Sequence, residues 1–112
     1  MNGAGSRRKG AAFERELARQ FREAMPDAGI RRGLQCRTGE EAPDVEVPCF
    51  WVEAKHHHRT NARAAMRQAL ANCPPGRWPV AVCKDDRAEP LVTMQLEDFL
   101  ELLREWWAQR DR

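Results

Sequence analysis

Pro43-Asp44-Val45-Glu46-Val47-Pro48-Cys49-Phe50-Trp51-Val52-Glu53-Ala54-Lys55 is the stretch on which the fold turns. It alternates polar and apolar residues on either side of Pro48-Cys49, the pattern of two short strands joined by a tight turn. Pairing Val47 with Phe50 sets Glu46 opposite Trp51, Val45 opposite Val52 and Asp44 opposite Glu53. Strand side chains alternate faces, so Asp44, Glu46, Trp51, Glu53 and Lys55 share one face. Val45, Val47, Val52 and Ala54 occupy the other, towards a core. Pro48 suits the primed two-residue turns poorly, which leaves room for a longer loop.

Two carboxylates set directly across a strand pair repel, and folding alone gives no reason to keep them there. A hard divalent cation between them removes the penalty, because Mg²⁺ takes carboxylate oxygens together with water and substrate phosphate. Lys55, one step further along the same face, sits beside that ion. The ordinary reading of such charges is the solvated side of a half-buried sheet. Trp51 and the apolar neighbours of the carboxylates argue for an enclosed site instead.

Working outward, 112 residues hold one domain with a real core, and 32% charged with 42% hydrophobic residues is ordinary for a water-soluble fold. The expected organisation is a disordered tail over 1–6 and a single domain over 7–112. No apolar run has the length of a membrane span and no signal peptide is visible, which points to the cytoplasm. Cys36, Cys49, Cys73 and Cys83 are scattered, with no Cys-x-x-Cys pair, and read as reduced thiols. The net charge of +2 hides an asymmetry. Residues 1–37 carry nine Lys/Arg against four Asp/Glu, whereas residues 85–112 carry four against eight. A basic front end suits a phosphate-backbone partner.

Arg7-Arg8-Lys9 forms a basic cluster ahead of a helix expected from Gly10 to about Met25, with Phe13, Leu17, Phe21 and Ala24 as its buried stripe. Ile30–Arg37 reads as an irregular first strand interrupted by Gly33. Beyond the hairpin, His56-His57-His58 does not read as a zinc site, since three consecutive residues cannot all point at one ion. Arg59–Cys73 is the clearest helix, with Ala62, Ala65, Met66, Ala69, Leu70 and Cys73 at i, i+3, i+4, i+7 spacing. Arg59, Arg63 and Arg67 make a basic ridge along it. Pro79–Lys84 reads as a buried strand, Leu91–Met94 as a last short strand, and Leu96 to about Gln109 as a helix. Leu96, Phe99, Leu100, Leu103 and Trp107 are expected to pack that helix on its own domain. Leu102 and Trp106 then point away, which suggests a two-fold dimer surface.

Pro43-Asp44, eight residues, then Glu53-Ala54-Lys55 resembles the signature of the PD-(D/E)xK nuclease superfamily. Arg8-Lys9-Gly10-Ala11-Ala12-Phe13-Glu14-Arg15-Glu16-Leu17 resembles the opening of archaeal-type Holliday junction resolvases within it, and Arg37-Thr38-Gly39 stands where that branch has an Arg before its hairpin. The resemblance implies an α/β fold with a central mixed sheet flanked by helices and αβββαβ at its heart. It implies Mg²⁺, with Mn²⁺ able to substitute, held by Asp44 and Glu53 with Glu14 completing the site. Lys55 would orient water or stabilise the transition state, and Arg7, Arg8, Lys9, Arg15, Arg37, Arg59 and Arg63 would contact DNA. Gln68 lies where related nucleases carry a Gln-x-x-x-Tyr element, incomplete here because position 72 is Asn. The activity implied is structure-selective hydrolysis of four-way DNA junctions in recombination by a homodimeric endonuclease. Two alternatives stay open: a relative acting on other branched, flapped or single-stranded DNA, and a non-catalytic nucleic-acid-binding dimer.

Overall fold

Alternation on the hairpin and helical spacing on both sides of it build one mixed sheet with three helices, seen in a computed structural model that describes residues 3–33 and 42–110. The elements run α1 (Gly3–Ala24), β1 (Arg31–Arg32), β2 (Val45–Val47), β3 (Phe50–His57), α2 (Ala62–Asn72), β4 (Trp78–Asp85), β5 (Leu91–Met94) and α3 (Leu96–Gln109). The five strands lie in the order β1-β2-β3-β4-β5. β3 and β4 are parallel, with α2 as the crossover between them, and the other pairs are antiparallel. α1 runs back to Gly3 rather than starting at Gly10. Of the strand expected over Ile30–Arg37, β1 covers Arg31–Arg32, and residues 34–41 lie outside the described residues.

The hairpin keeps its expected register over three pairs: Val45 with Val52, Glu46 with Trp51 and Val47 with Phe50. Pro48-Cys49 is the whole turn. Neither residue takes a positive φ, so this is not one of the primed turns and no longer loop is needed. The register fails at one position. The Asp44 amide donates to the Val52 carbonyl at 2.8 Å rather than continuing the ladder against Glu53. The ladder ends there, and Asp44 sits one step off it.

Both faces of the sheet are covered. Val45, Val47, Val52, Ala54, Val80 and Val82 pack under α1 through Phe13, Leu17 and Ala18. On the opposite face Ala81 and Cys83 lie under α2, against Ala65 and Met66. A parallel pair closed on both sides leaves its central strands no solvated face, so Trp51 and Glu53 are buried where a half-open sheet would have wetted them. Gly33 lets β1 meet the hairpin. Its amide donates to the Asp44 carbonyl at 2.9 Å, and a Cβ there would lie 1.7 Å from the Pro43 carbonyl oxygen.

α2 starts later than the periodicity suggested because Asn61 caps it, its side chain accepting from the Ala64 amide at 3.0 Å. α3 corrects the expectation more deeply. It has no buried residue. Asp98, Glu101 and Glu105 line a cavity of about 330 Å³ with Cys49, Arg77 and Trp78, so the acidic face is the one turned to the domain. Of the stripe expected to pack inward, Leu96, Phe99, Leu103 and Trp107 face solvent together with Trp106, and Leu100 is half-buried. Leu102, expected to point away, is half-buried. No helix among the described residues is long and apolar enough to cross a membrane.

A candidate carboxylate site at the end of the hairpin ladder

Where the β2–β3 ladder ends, Asp44 turns its side chain back into the gap. Its Oδ2 accepts from the Ala54 amide at 2.8 Å, supplying the acceptor that the missing backbone rung would have given. Ending the ladder at that point keeps the Asp44 carboxylate beside Glu53 rather than in water. Glu53 is 1% exposed, and its Oε1 accepts from the Trp51 indole Nε1 at 3.3 Å. Trp51 and Glu53 are two residues apart on one strand, so this contact follows from the alternation of faces. The other oxygen, Oε2, is buried and has no hydrogen-bond partner among the described residues.

A buried carboxylate with one unsatisfied oxygen is costly when ionised. Burial first, then the negative charge of Asp44, push the Glu53 carboxyl up to about 7, helped by a hydrogen bond that its protonated form makes with Asp44 and opposed by Trp51 and Lys55. Glu14 approaches the same place from α1. Burial and the Asp44 charge raise its carboxyl, while Arg32 and Lys55 lower it. Glu14, Asp44, Glu53 and Lys55 thus share one electrostatic neighbourhood, supplied by α1, the residue before β2, and β3. Like charges pressed together out of water, with a cation beside them, mark functional sites more often than structural ones.

Arg32 was not legible as part of this group. Its Nε and Nη2 reach Glu14 Oε1 at 3.2 and 3.1 Å. Its only trace in the sequence was its place in the irregular, arginine-bearing stretch ahead of the hairpin. Trp51 was placed on the right face by alternation, but its hydrogen bond to Glu53 needed the observed rotamer.

The basic residues divide into two groups. Arg7, Arg8 and Arg15 are exposed along α1, and Arg59, Arg63 and Gln68 are exposed on or just before α2. Lys9 is already paired: its Nζ donates to Asp86 at 2.9 Å, tying α1 to the end of β4. His56 reaches the same carboxylate at 3.1 Å and packs edge-on against Phe13, and His58 lies 3.6 Å from it. Lys9 first, then His56 and His58, hold the Asp86 carboxyl below its ordinary range. Arg37 and Cys36 lie outside the described residues. Cys49, Cys73 and Cys83 are free thiols, and burial pushes each of them up.

Among the described residues, no three His, Cys, Asp or Glu side chains form a group that could hold a metal by themselves. The donor set instead fits a cation that takes only part of its shell from protein. Mg²⁺ is commonly held through one or two carboxylates, with water and phosphate completing an octahedron. Asp44 and the unpartnered oxygen of Glu53 are donors of that kind. A cavity of about 510 Å³ between α2 and β5, lined by Met66, Leu70 and Met94 with Arg63 and Arg67, lies away from these carboxylates. Compared with family models, curated proteins and solved structures, the chain matches none.

Proposed function

We propose that this chain is a metal-dependent endodeoxyribonuclease of the PD-(D/E)xK kind that hydrolyses branched DNA, four-way junctions first among its substrates. The observation that carries the reading is the buried Asp44–Glu53 pair, with Glu53 Oε2 unpartnered and Lys55 beside it. The order of elements from α1 to β4 supports it, since it follows the αβββαβ core expected of such nucleases.

Asp44 and Glu53 are the residues that would hold Mg²⁺, with Glu14 released from Arg32 as a third. Bound there, the ion supplies Lewis-acid activation of water and neutralises charge on the phosphate under attack. The chain's own contributions follow from its geometry. Trp51 fixes the Glu53 carboxylate through Oε1 and leaves Oε2 facing the site. The Ala54 amide fixes Asp44 in the same way. Lys55 places a positive charge where negative charge grows on the phosphate, stabilising the transition state more than the ground state. Exposed Arg7, Arg8 and Arg15 on α1, with Arg59 and Arg63 at α2, give the phosphate backbone its contacts. Contacts of that type read shape rather than base sequence.

Purified protein incubated with four-way, flap and linear duplex DNA, with Mg²⁺ or Mn²⁺ and with Asp44→Asn as control, tests this. Cleavage of branched substrates that is lost in the variant supports the reading. Absence of both cleavage and an Asp44-dependent Mn²⁺ site would leave only a nucleic-acid-binding module and overturn it.

A further inference from the structure

α3 turns its charged side to the domain and its apolar side outward, the reverse of an ordinary surface helix. Leu96 is 68% exposed, Phe99 44%, Leu103 40%, and Trp106 and Trp107 59% each. Leu96, Phe99, Leu103 and Trp106 follow one another at alternating spacings of three and four, which is the a/d seam of a two-helix pairing. Asp98, Glu101 and Glu105 lie on the opposite side, along the wall of a cavity against Cys49, Arg77 and Trp78, with Glu101 and Glu105 still exposed, so rotating the helix to bury the stripe would strip that cavity of its acidic wall.

We propose that α3 is a docking surface for a second copy of this chain, the two helices pairing antiparallel across a two-fold axis. The inference stands apart from the nuclease reading, since it uses no residue of the carboxylate site. Area supports the choice of partner. With about 150–250 Å² for a whole aromatic side chain, the exposed parts of these five residues come to roughly 600 Å² per copy. A pair that covered the whole stripe would bury about 1,200 Å², the lower bound for a specific interface. An isologous contact uses each residue twice, so a single 14-residue helix suffices.

Side-chain size and charge set the direction. Antiparallel pairing places Leu96 against the partner's Trp106 and Phe99 against the partner's Leu103, large beside small in every layer. Parallel pairing would stack Trp106 on its own copy. Glu97 lies in the first turn, and Arg110 caps the other end with its guanidinium 4.4 Å from the Trp107 ring. The antiparallel arrangement also opposes the two helix dipoles.

Sedimentation of the full chain between about 1 and 100 µM reads the association directly. The wild type should be dimeric at the upper end and dissociate on dilution. Leu103→Glu and Trp106→Glu should each raise the dimer dissociation constant at least about 100-fold, because each puts a charge into the seam from both copies. Their circular dichroism should stay that of the wild type, as both side chains are solvent-exposed in the single chain. Leu102→Glu, on the inward-facing flank, should change the constant less than about 10-fold. A wild type that is monomeric at 100 µM, or a dimer indifferent to Leu103→Glu and Trp106→Glu, overturns the proposal. Loss of the dimer with junction cleavage intact, or the reverse, would separate this proposal from the nuclease reading.

Discussion

The hairpin and α3 break the usual distribution of polar and apolar groups in opposite ways. At the end of the β2–β3 ladder, carboxylates are buried and one oxygen of Glu53 has no partner. Along α3, five large apolar side chains face water while three carboxylates face the domain. The two inversions differ in what sustains them. The hairpin is held from within: Asp44 by the Ala54 amide, Glu53 by the Trp51 indole, Glu14 by Arg32. Among the described residues, nothing covers the α3 stripe. A buried charge can be tolerated for the sake of a site, whereas an uncovered apolar stripe calls for a second surface.

The sharpest way to break the comparison is to remove the buried charge. Asp44→Asn or Glu53→Gln should lower cleavage about 100- to 1,000-fold, a loss of the size seen when an electrostatic catalytic group is deleted. Binding of the same DNA, followed by anisotropy, should be preserved or tightened, because each change removes negative charge beside phosphate. Cleavage near the wild-type rate in either variant would mean that the carboxylates are structural.

Next in size is Gly33→Ala. A Cβ placed 1.7 Å from the Pro43 carbonyl oxygen meets backbone, not a flexible side chain. The variant should lose about 3 kcal/mol or more in urea unfolding, since the hairpin cannot move without displacing Asp44. An equivalent substitution at Gly10, where the space is open, is the control and should cost nothing comparable.

The pH dependence of the metal-free protein comes third. The folded state raises the Glu53 carboxyl from 4.5 to about 7, so it binds a proton more tightly than the unfolded chain. The stability from this group is therefore complete below about 4.5 and is lost as pH rises towards 7. The loss is on the order of 2–3 kcal/mol. Glu53→Gln should flatten that slope and leave the protein more stable than the wild type at pH 8. Added Mg²⁺ should raise the wild-type melting temperature more as pH rises, because the ligand must be ionised to bind it. A wild-type stability that climbs between pH 5 and 7 would contradict the burial argument.

The smallest effect sharpens the contrast between the regions. Val52→Ala, in the fully enclosed strand, should cost about 2 kcal/mol. Trp106→Ala, a far larger deletion, should change the unfolding free energy of the dilute single chain by no more than about 0.5 kcal/mol. Equal costs would mean that α3 is packed on its own domain after all.

Local pattern determined a good deal of this protein. Period-two alternation placed the hairpin and its three-pair register, because a one-residue slip would have turned every valine out of the core. Spacing of i, i+3, i+4 placed α2, and the carboxylates with Lys55 were readable as a cluster because strand geometry fixes which side chains are neighbours. The tertiary structure decided what depends on non-local contacts. Whether the Glu53 face is wet or dry depended on α2 closing the second face of the sheet, a packing event that alternation within β3 does not encode. The end of the ladder at Asp44 depended on Gly33 and Pro43 meeting across the fold. The Arg32–Glu14 and Lys9–Asp86 pairs join residues far apart in the chain. The facing of α3 depends on non-local contacts in the same way: an amphipathic pattern defines two sides of a helix, but only the position of its neighbours decides which side meets the domain.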